Sequence, residues 1–403
     1  MSDVGTLDRQ LLVTEPVRFC KKCVISNQRP RITFDDEGVC SACRYAEIKV
    51  GEIDWDERDM MFRDLLAKHR SKDGSYDCLV PSSGGKDSAK VAHELKYKYQ
   101  MHPLTITWAP FIYTSIGWKN YLAFKDSGFD NLLFFPNGKI HRKLSRLGFE
   151  HVGDNFLPFI YGQKAYAFHV AVKHKIPLIF YGESGEVEYG GSTKNREKSH
   201  EGPEDWEEMY FKGAGLDDLV NKGLETGILT EHEIVNHSLE YYRPPELEEI
   251  EKIGAEMHWF SFYKKWLPQE NYYYAVENTG FEANKGRSEG TYSKYSSLDD
   301  KTDGFHYYMA FIKFGIGRAT SDAAHEIRDG HITRDEAISL VNRYDGEFPN
   351  KYFADFLEYI DISQDRFWEV VNFFRERSSH LWDNTDEGWR LRHNVAGNGT
   401  EDS

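Results

Sequence analysis

No uninterrupted apolar run of about 18 residues occurs in the chain, so no transmembrane helix is expected. The N-terminus, Met1-Ser2-Asp3-Val4-Gly5, lacks a basic stretch followed by an apolar one, so no signal peptide is read there. Positive charge is in short supply: 50 Lys and Arg stand against 66 Asp and Glu, a formal charge of −16. That balance argues against a nucleic-acid binder, although a local basic patch is compatible with it. Cysteine is scarce too, five residues with four of them in two pairs, which is not the pattern of a secreted disulfide framework. These absences predict a cytoplasmic protein. No internal repeat is found. Aromatic residues are plentiful, 15 % of the chain, which excludes a disordered protein. A length of 403 residues predicts two or three domains with sizeable cores.

The paired cysteines fall as Cys20-Lys21-Lys22-Cys23 and Cys40-Ser41-Ala42-Cys43. The spacing C-x2-C-x16-C-x2-C is that of a four-thiolate zinc site. Ile32-Thr33-Phe34 and the acidic turn Asp35-Asp36-Glu37-Gly38 read as a short hairpin between the knuckles. A zinc ribbon with a closed, structural Zn²⁺ held by Cys20, Cys23, Cys40 and Cys43 is therefore predicted. Two disulfides or a redox dithiol are the competing readings.

The stretch Pro81-Ser82-Ser83-Gly84-Gly85-Lys86-Asp87-Ser88 follows the apolar run Cys78-Leu79-Val80 and leads into a helical pattern. A strand, a glycine loop and a helix start aim backbone N–H groups and the positive end of a helix dipole at one spot, which suits a phosphate. A P-loop is excluded, because Val80 stands where its first glycine belongs and Asp87 follows the lysine. The dinucleotide pattern G-x-G-x-x-G is absent as well. What remains, Ser83-Gly84-Gly85-Lys86-Asp87-Ser88, resembles the pyrophosphate loop of the ATP pyrophosphatase (PP-loop) superfamily. Its members adenylate a carbonyl or carboxyl oxygen with ATP and let a nitrogen or sulfur nucleophile displace AMP. Cys78, inside the strand, reads as a small buried hydrophobe.

From Tyr76 strands and helices alternate: strands at 77–80, 104–108, 131–135 and 177–181, helices at 87–99, 116–126, 138–147 and 162–175. A helix at 54–70, capped by Asp54 or Asp56, with Met60, Met61, Leu65 and Leu66 as its apolar set, precedes them. Alternation predicts an α/β fold with a doubly wound parallel sheet, whose ligands sit beyond the C-terminal strand ends. Gly182-Glu183-Ser184-Gly185 falls at such an end. After residue 186 strands are hard to find. Helices are read at 204–212, 216–222, 306–316, 321–329, from the capping box at Thr333-Arg334-Asp335-Glu336 to Tyr344, and over 350–377. Tyr241–Pro245 breaks the chain, and Met257–Tyr263 reads as either strand or helix. The polar stretch 280–304 is a substrate loop or a surface linker. The domain reading is a flexible 1–16, a zinc ribbon at 17–50, a PP-loop ATP-binding domain at 51–190, a mainly helical substrate and partner region at 191–390, and a disordered 391–403.

A zinc ribbon, a PP-loop domain and a helical C-terminal region in one chain resemble the N-acetyl sugar amidotransferases of bacterial surface-polysaccharide (lipopolysaccharide, O-antigen) biosynthesis. The resemblance runs from Phe19 to about Tyr344. It rests on Ser83–Ser88, Tyr181-Gly182-Glu183, the run Tyr295–His306, and Phe314–Asp322. It implies an ATP-dependent enzyme that adenylates the N-acetyl carbonyl of a nucleotide-linked sugar and replaces the oxygen with nitrogen, giving an acetamidino group. It also implies ammonia from a separate glutaminase subunit related to imidazole glycerol phosphate synthase, since no cysteine here sits in a nucleophile elbow. On this reading Ser83, Gly84, Gly85, Lys86, Asp87, Ser88 and Gly182 contact ATP. Lys86 leads electrostatically. Asp87 binds Mg²⁺ or caps its helix, and Glu183 binds Mg²⁺, steers ammonia, or is only an N-cap or surface carboxylate. Lys294, Lys301, Arg318 and Asp322 are candidate substrate contacts. His306 and His325 are candidate proton acceptors that are equally readable as packed histidines. Two rivals stand beside this reading: a PP-loop tRNA thiolase, which needs a basic face and further cysteines, and a non-catalytic scaffold.

Overall fold

The computed structural model describes residues 4–10, 16–194, 196–203, 213–234 and 239–397. Its centre is a six-stranded sheet: β1 Cys78–Pro81, β2 Pro103–Trp108, β3 Asn131–Phe134, β4 Leu178–Tyr181, β5 His200–Glu201 and β6 Glu256–Trp259, in the order β3-β2-β1-β4-β6-β5. All neighbours are parallel except β5, which pairs antiparallel with β6. In register, Leu79 lies between Leu104 and Ile179, and Ile179 pairs with Met257.

Alternation along the strands separates two cores. Leu79, Leu104, Ile106, Ile179 and Met257 pack with residues of the helices Gly138–Val152, Leu157–His174 and Leu216–Glu225. Cys78, Val80, Leu178 and Phe180 pack with the helices Trp55–His69, Lys86–His93 and Pro268–Thr279. Helices on both faces explain why the central strands are apolar at consecutive positions, as in the fully buried β2. A third core joins the helices Asp303–Phe314, Phe353–Ile360 and Gln364–Arg377. A fourth packs the four-cysteine segment against the helices Arg318–Arg328 and Arg334–Tyr344.

Several sequence expectations change here. The sheet continues past residue 190: Met257–Tyr263 is both strand and helix, with β6 running directly into the short helix Phe260–Tyr263. In the helix Trp55–His69, Asp54 caps the N-terminus, but the buried residues are Phe62 and Leu66, whereas Met60 and Met61 are exposed. Residues 4–10 of the segment read as flexible are tied to the rest of the fold. The Gly5 and Leu7 N–H groups bond the carbonyls of Glu150 and His151, and buried Asp8 pairs with buried Lys313 at 3.1 Å. The segment read as a disordered tail begins with the end of a hairpin, β7 Trp382–Thr385 with β8 Gly388–Leu391, and Val395 beyond it is buried. The helix expected at 204–212 lies outside the described residues, as do 398–403. Among the described residues no helix is long and apolar enough to cross a membrane.

Candidate functional site

The glycine loop turns at the C-terminal end of β1, between β2 and β4, where the sheet order changes direction. Ser82 fixes its first corner. The Ser82 N–H donates to the Ile106 carbonyl at 2.8 Å, its carbonyl accepts from Thr107 Oγ1 at 2.6 Å, and its Oγ lies 2.9 Å from Ser88 Oγ. Gly84 has φ +83°, and a Cβ there would come within 2.6 Å of Tyr121 Cα, so only glycine fits. Gly85 is the N-cap of the helix Lys86–His93 and brings no side chain to cap it, which leaves the first-turn N–H groups facing outward.

The loop forms one wall of a cavity of about 470 Å³, which also takes the last residues of β1, β2 and β4: Pro81, Trp108 and Tyr181. One part is aromatic and apolar, with Trp108, Phe156, Phe159 and Tyr166. The other is charged, with Asp87, Glu183, Asp299, Asp303, His306 and Arg318. A smaller cavity of about 150 Å³ on the other side of the loop is lined by Lys86, Asp87, Asn120, Tyr295, Asp299 and Arg318.

Burial first, and then the Asp87 charge beside it, push the Glu183 carboxyl up to about 7; Lys86 opposes the shift. Burial also raises Asp299, with Asp303 adding to it, while a Ser83 side-chain hydrogen bond opposes. Asp300 rises to about 8 through burial, against hydrogen bonds from the Thr302 and Phe111 N–H groups. A cluster of carboxylates so perturbed at a strand end marks a candidate functional site.

Sequence-predicted residues divide cleanly. Ser83, Gly85, Asp87, Ser88, Gly182 and Glu183 line the large cavity, and Gly84 and Lys86 line the small one. The Lys86 ammonium pairs with the Asp87 carboxylate. Asp87 is in the first turn and is not the N-cap; its Oδ1 accepts from Asn271 Nδ2 at 2.9 Å. Glu183 precedes the N-cap Ser184 of the short helix Gly185–Tyr189, so it is not that helix's cap either. Arg318 lines both cavities and a third of about 120 Å³, to which Lys301 also contributes. Asp322 stands behind it, 2.9 Å from the guanidinium and accepting from Thr291 Oγ1 at 2.7 Å. Lys301 pairs with Asp355. Lys294 is exposed and lines none of these cavities. His325 is buried and outside them, its ring 5.0 Å from that of Tyr189; burial drives its pKa well down, so it is a packed neutral ring.

The polar stretch 280–304 is no linker. Lys301 N–H bonds the Ile112 carbonyl at 2.9 Å, Thr114 N–H bonds the Asp299 carbonyl at 3.1 Å, and Tyr113 bridges Asp300. This lays Asp299, Asp300 and Asp303 over the glycine loop. Sequence reasoning passed over these three and Asn271. The signals for the aspartates were their spacing, three within five residues, and their place in the run Tyr295–His306 that carries the resemblance; Asn271 had none.

The four cysteines form a separate centre. Their sulfurs lie within 4.8 Å of one another, with Cys20 and Cys43 at 3.8 Å and Cys23 and Cys40 at 3.7 Å. A tetrahedral zinc with about 2.3 Å bonds places its sulfurs about 3.8 Å apart, so the donor set fits one zinc ion. The N–H groups of Lys22, Cys23 and Cys40 point at Cys20 Sγ at 3.3–3.4 Å, as they would at a metal-bound thiolate.

Fold and site together define a mixed α/β protein with a glycine loop over a charged cavity and a distant four-cysteine cluster. Compared with known families, residues 289–395 match one whose description reads LPS biosynthesis protein WbpG-like, C-terminal domain. Over that segment the chain is similar to LPS biosynthesis proteins. No curated protein matches the chain. The matched segment carries Asp299, Asp303, His306 and Arg318, so it supplies one wall of the cavity.

Proposed function

We propose that the protein is an ATP-dependent N-acetyl sugar amidotransferase acting in surface-polysaccharide synthesis, built on a doubly wound PP-loop domain. The strand order β3-β2-β1-β4-β6, with helices on both faces, and the loop at the β1 end support the fold reading. One observation carries the functional reading. The loop Ser83–Ser88 and a wall from the LPS-biosynthesis-like segment face each other across a single cavity. In this reading a nucleotide site and an LPS-biosynthesis-like segment share one reaction space.

An amide carbonyl is a poor electrophile, and its oxygen a poor leaving group. Attack of that oxygen on the α-phosphorus of ATP releases pyrophosphate and leaves AMP on the carbon. In this reading the loop N–H groups and Lys86 take the charge that accumulates on the departing pyrophosphate. Asp87 and Glu183 would hold Mg²⁺, which offsets phosphate charge when bound. Arg318, locked by Asp322 and bonded to Tyr307 Oη, is a further cation for substrate or phosphate. Ammonia then displaces AMP, and an amidine remains.

A tRNA thiolase would need a reactive cysteine outside the zinc cluster. Cys78 is fully buried inside β1, and burial pushes its thiol up. The test is a mass-spectrometric screen of the purified chain with ATP, Mg²⁺, ammonium and a panel of UDP- and CMP-linked N-acetyl sugars. AMP, pyrophosphate and a sugar with one oxygen replaced by NH are expected together, and Lys86→Ala removes all three. Silence with every sugar, even with a glutaminase supplied, refutes the reading.

A further inference from the structure

One ion-pair contact behind the cavity wall is not used by the phosphate chemistry. His306 Nδ1 lies 2.8 Å from Asp154 Oδ1, and the Asp154 side chain is 1 % exposed. The same carboxylate oxygen accepts the Phe156 N–H at 2.9 Å, and Asp154 N–H is tied to the Gly148 carbonyl at 3.0 Å, so the acid is fixed in its turn. The imidazole is held between the rings of Phe156 and Tyr307, with centroids at 5.3 and 4.9 Å. His306 lines the large cavity together with Glu183 and Asp87.

A carboxylate on Nδ1 keeps the proton there and leaves the Nε2 lone pair as the acceptor. An imidazole whose Nδ1 is engaged in this way and whose residue lines a reaction cavity has Nε2 left to act as a general base. We propose that His306 accepts the proton from the nitrogen nucleophile, and that Asp154 is its positioning residue; this rests on the amidotransferase reading above. Ammonia forms the C–N bond with its lone pair at the imidoyl carbon. The C–O bond to AMP breaks, its electron pair leaving on the phosphate oxygen. One proton of the new ammonium substituent passes to His306 Nε2. The amide N–H stays on its nitrogen throughout, so the products are an amidinium, AMP and an imidazolium that returns its proton to solvent. Without that acceptor the added nitrogen stays protonated and is expelled again, and water takes the activated carbon instead, regenerating the N-acetyl sugar.

The measurement is the ratio of amidine to AMP in single turnovers with ATP, Mg²⁺, the accepted sugar and ammonium chloride. Wild type should give a ratio near one. His306→Ala should lower it by about 100-fold, and added imidazole should restore it, since the small base can occupy the vacated space. His306→Gln should show the same loss without rescue. Asp154→Asn, which keeps the shape but changes the tautomer bias, should fall between. Amidine formed at the wild-type ratio by His306→Ala and His306→Gln would overturn the inference. So would a loss of AMP and amidine in parallel that imidazole does not reverse. If wild type itself forms no AMP with any N-acetyl sugar, the amidotransferase reading fails, and this assignment goes with it.

Discussion

Asn271 ties two helices together beneath the cavity. Its amide nitrogen donates to Asp87 Oδ1 at 2.9 Å, and its oxygen accepts from Lys90 Nζ at 2.8 Å. The side chain is fully buried in the helix Pro268–Thr279, far along the chain from the loop it steadies. Asn271→Ala removes one hydrogen bond each from the Asp87 carboxylate, which keeps Lys86, and the part-buried Lys90 ammonium, which keeps Glu94 at 3.9 Å. We expect a loss of roughly 1–3 kcal/mol in urea unfolding. Asn271→Asp should keep the Lys90 contact but repel Asp87, and should cut ATP turnover more than it cuts stability.

Glu183 yields a pH prediction whose sign follows from its raised value of about 7. Between about 4.5 and 7 the folded state holds a proton that the unfolded chain has released. Stability from this group therefore falls as pH rises through that window, and the penalty is complete above it. Glu183→Gln removes the charge, so it should stabilise the protein by roughly 1–3 kcal/mol at pH 8 and leave it unchanged near pH 4. Thermal melts at the two pH values read this directly. A stabilised variant that has lost ATP turnover is the signature of a carboxylate kept for function.

Gly117 lies against the backbone of Asp299, and a Cβ there would overlap Asp299 Cα. Gly117→Ala must push the aspartate segment off the glycine loop. The expected cost is about 1–3 kcal/mol, with a fall in AMP release that raised ATP does not recover. Full activity in this variant would show that the position of Asp299 is immaterial.

Arg318 and Lys294 form a contrasting pair. Arg318→Ala removes the cation that lines all three cavities and should abolish turnover, with Arg318→Lys recovering little because the Tyr307 and Asp322 contacts need a fork. Lys294→Ala, at an exposed position, should stay within about two-fold of wild type in AMP release.

Metal analysis should find one zinc per chain. Arg334 donates to the carbonyls of Cys23 and Cys20 at 3.2 and 3.4 Å, and Ala323, Ala324 and Ala337 pack on the cluster. Chelation should therefore lower the melting midpoint and open the bonds after Arg328 and Arg334 to trypsin. A melt unmoved by chelator, on protein shown to be metal-free, would contradict a structural role.

Local patterns in the chain determined the parts that depend on near neighbours. The cysteine spacing, the apolar strand before Ser83-Gly84-Gly85-Lys86, the Thr333 capping box and the first four parallel strands follow from residues a few positions apart, where propensity, capping and ligand geometry act. Tertiary structure decided what sequence-distant groups do to one another. Whether Met257–Trp259 is strand or helix is decided by the edge that β4 offers it, and residues 4–10 are held by contacts with Glu150, His151 and Lys313. Asn271 and Asp154 carry no local signal, and Asp299 only that of an aspartate-rich run. Each becomes part of the site because folding removes it from water beside a partner between about 150 and 220 positions away, Ser83, Asp87 or His306, and a buried charge or amide must find such a partner. Periodicity and propensity report the free energy of a segment with itself; pairing across the chain is a property of the packed whole.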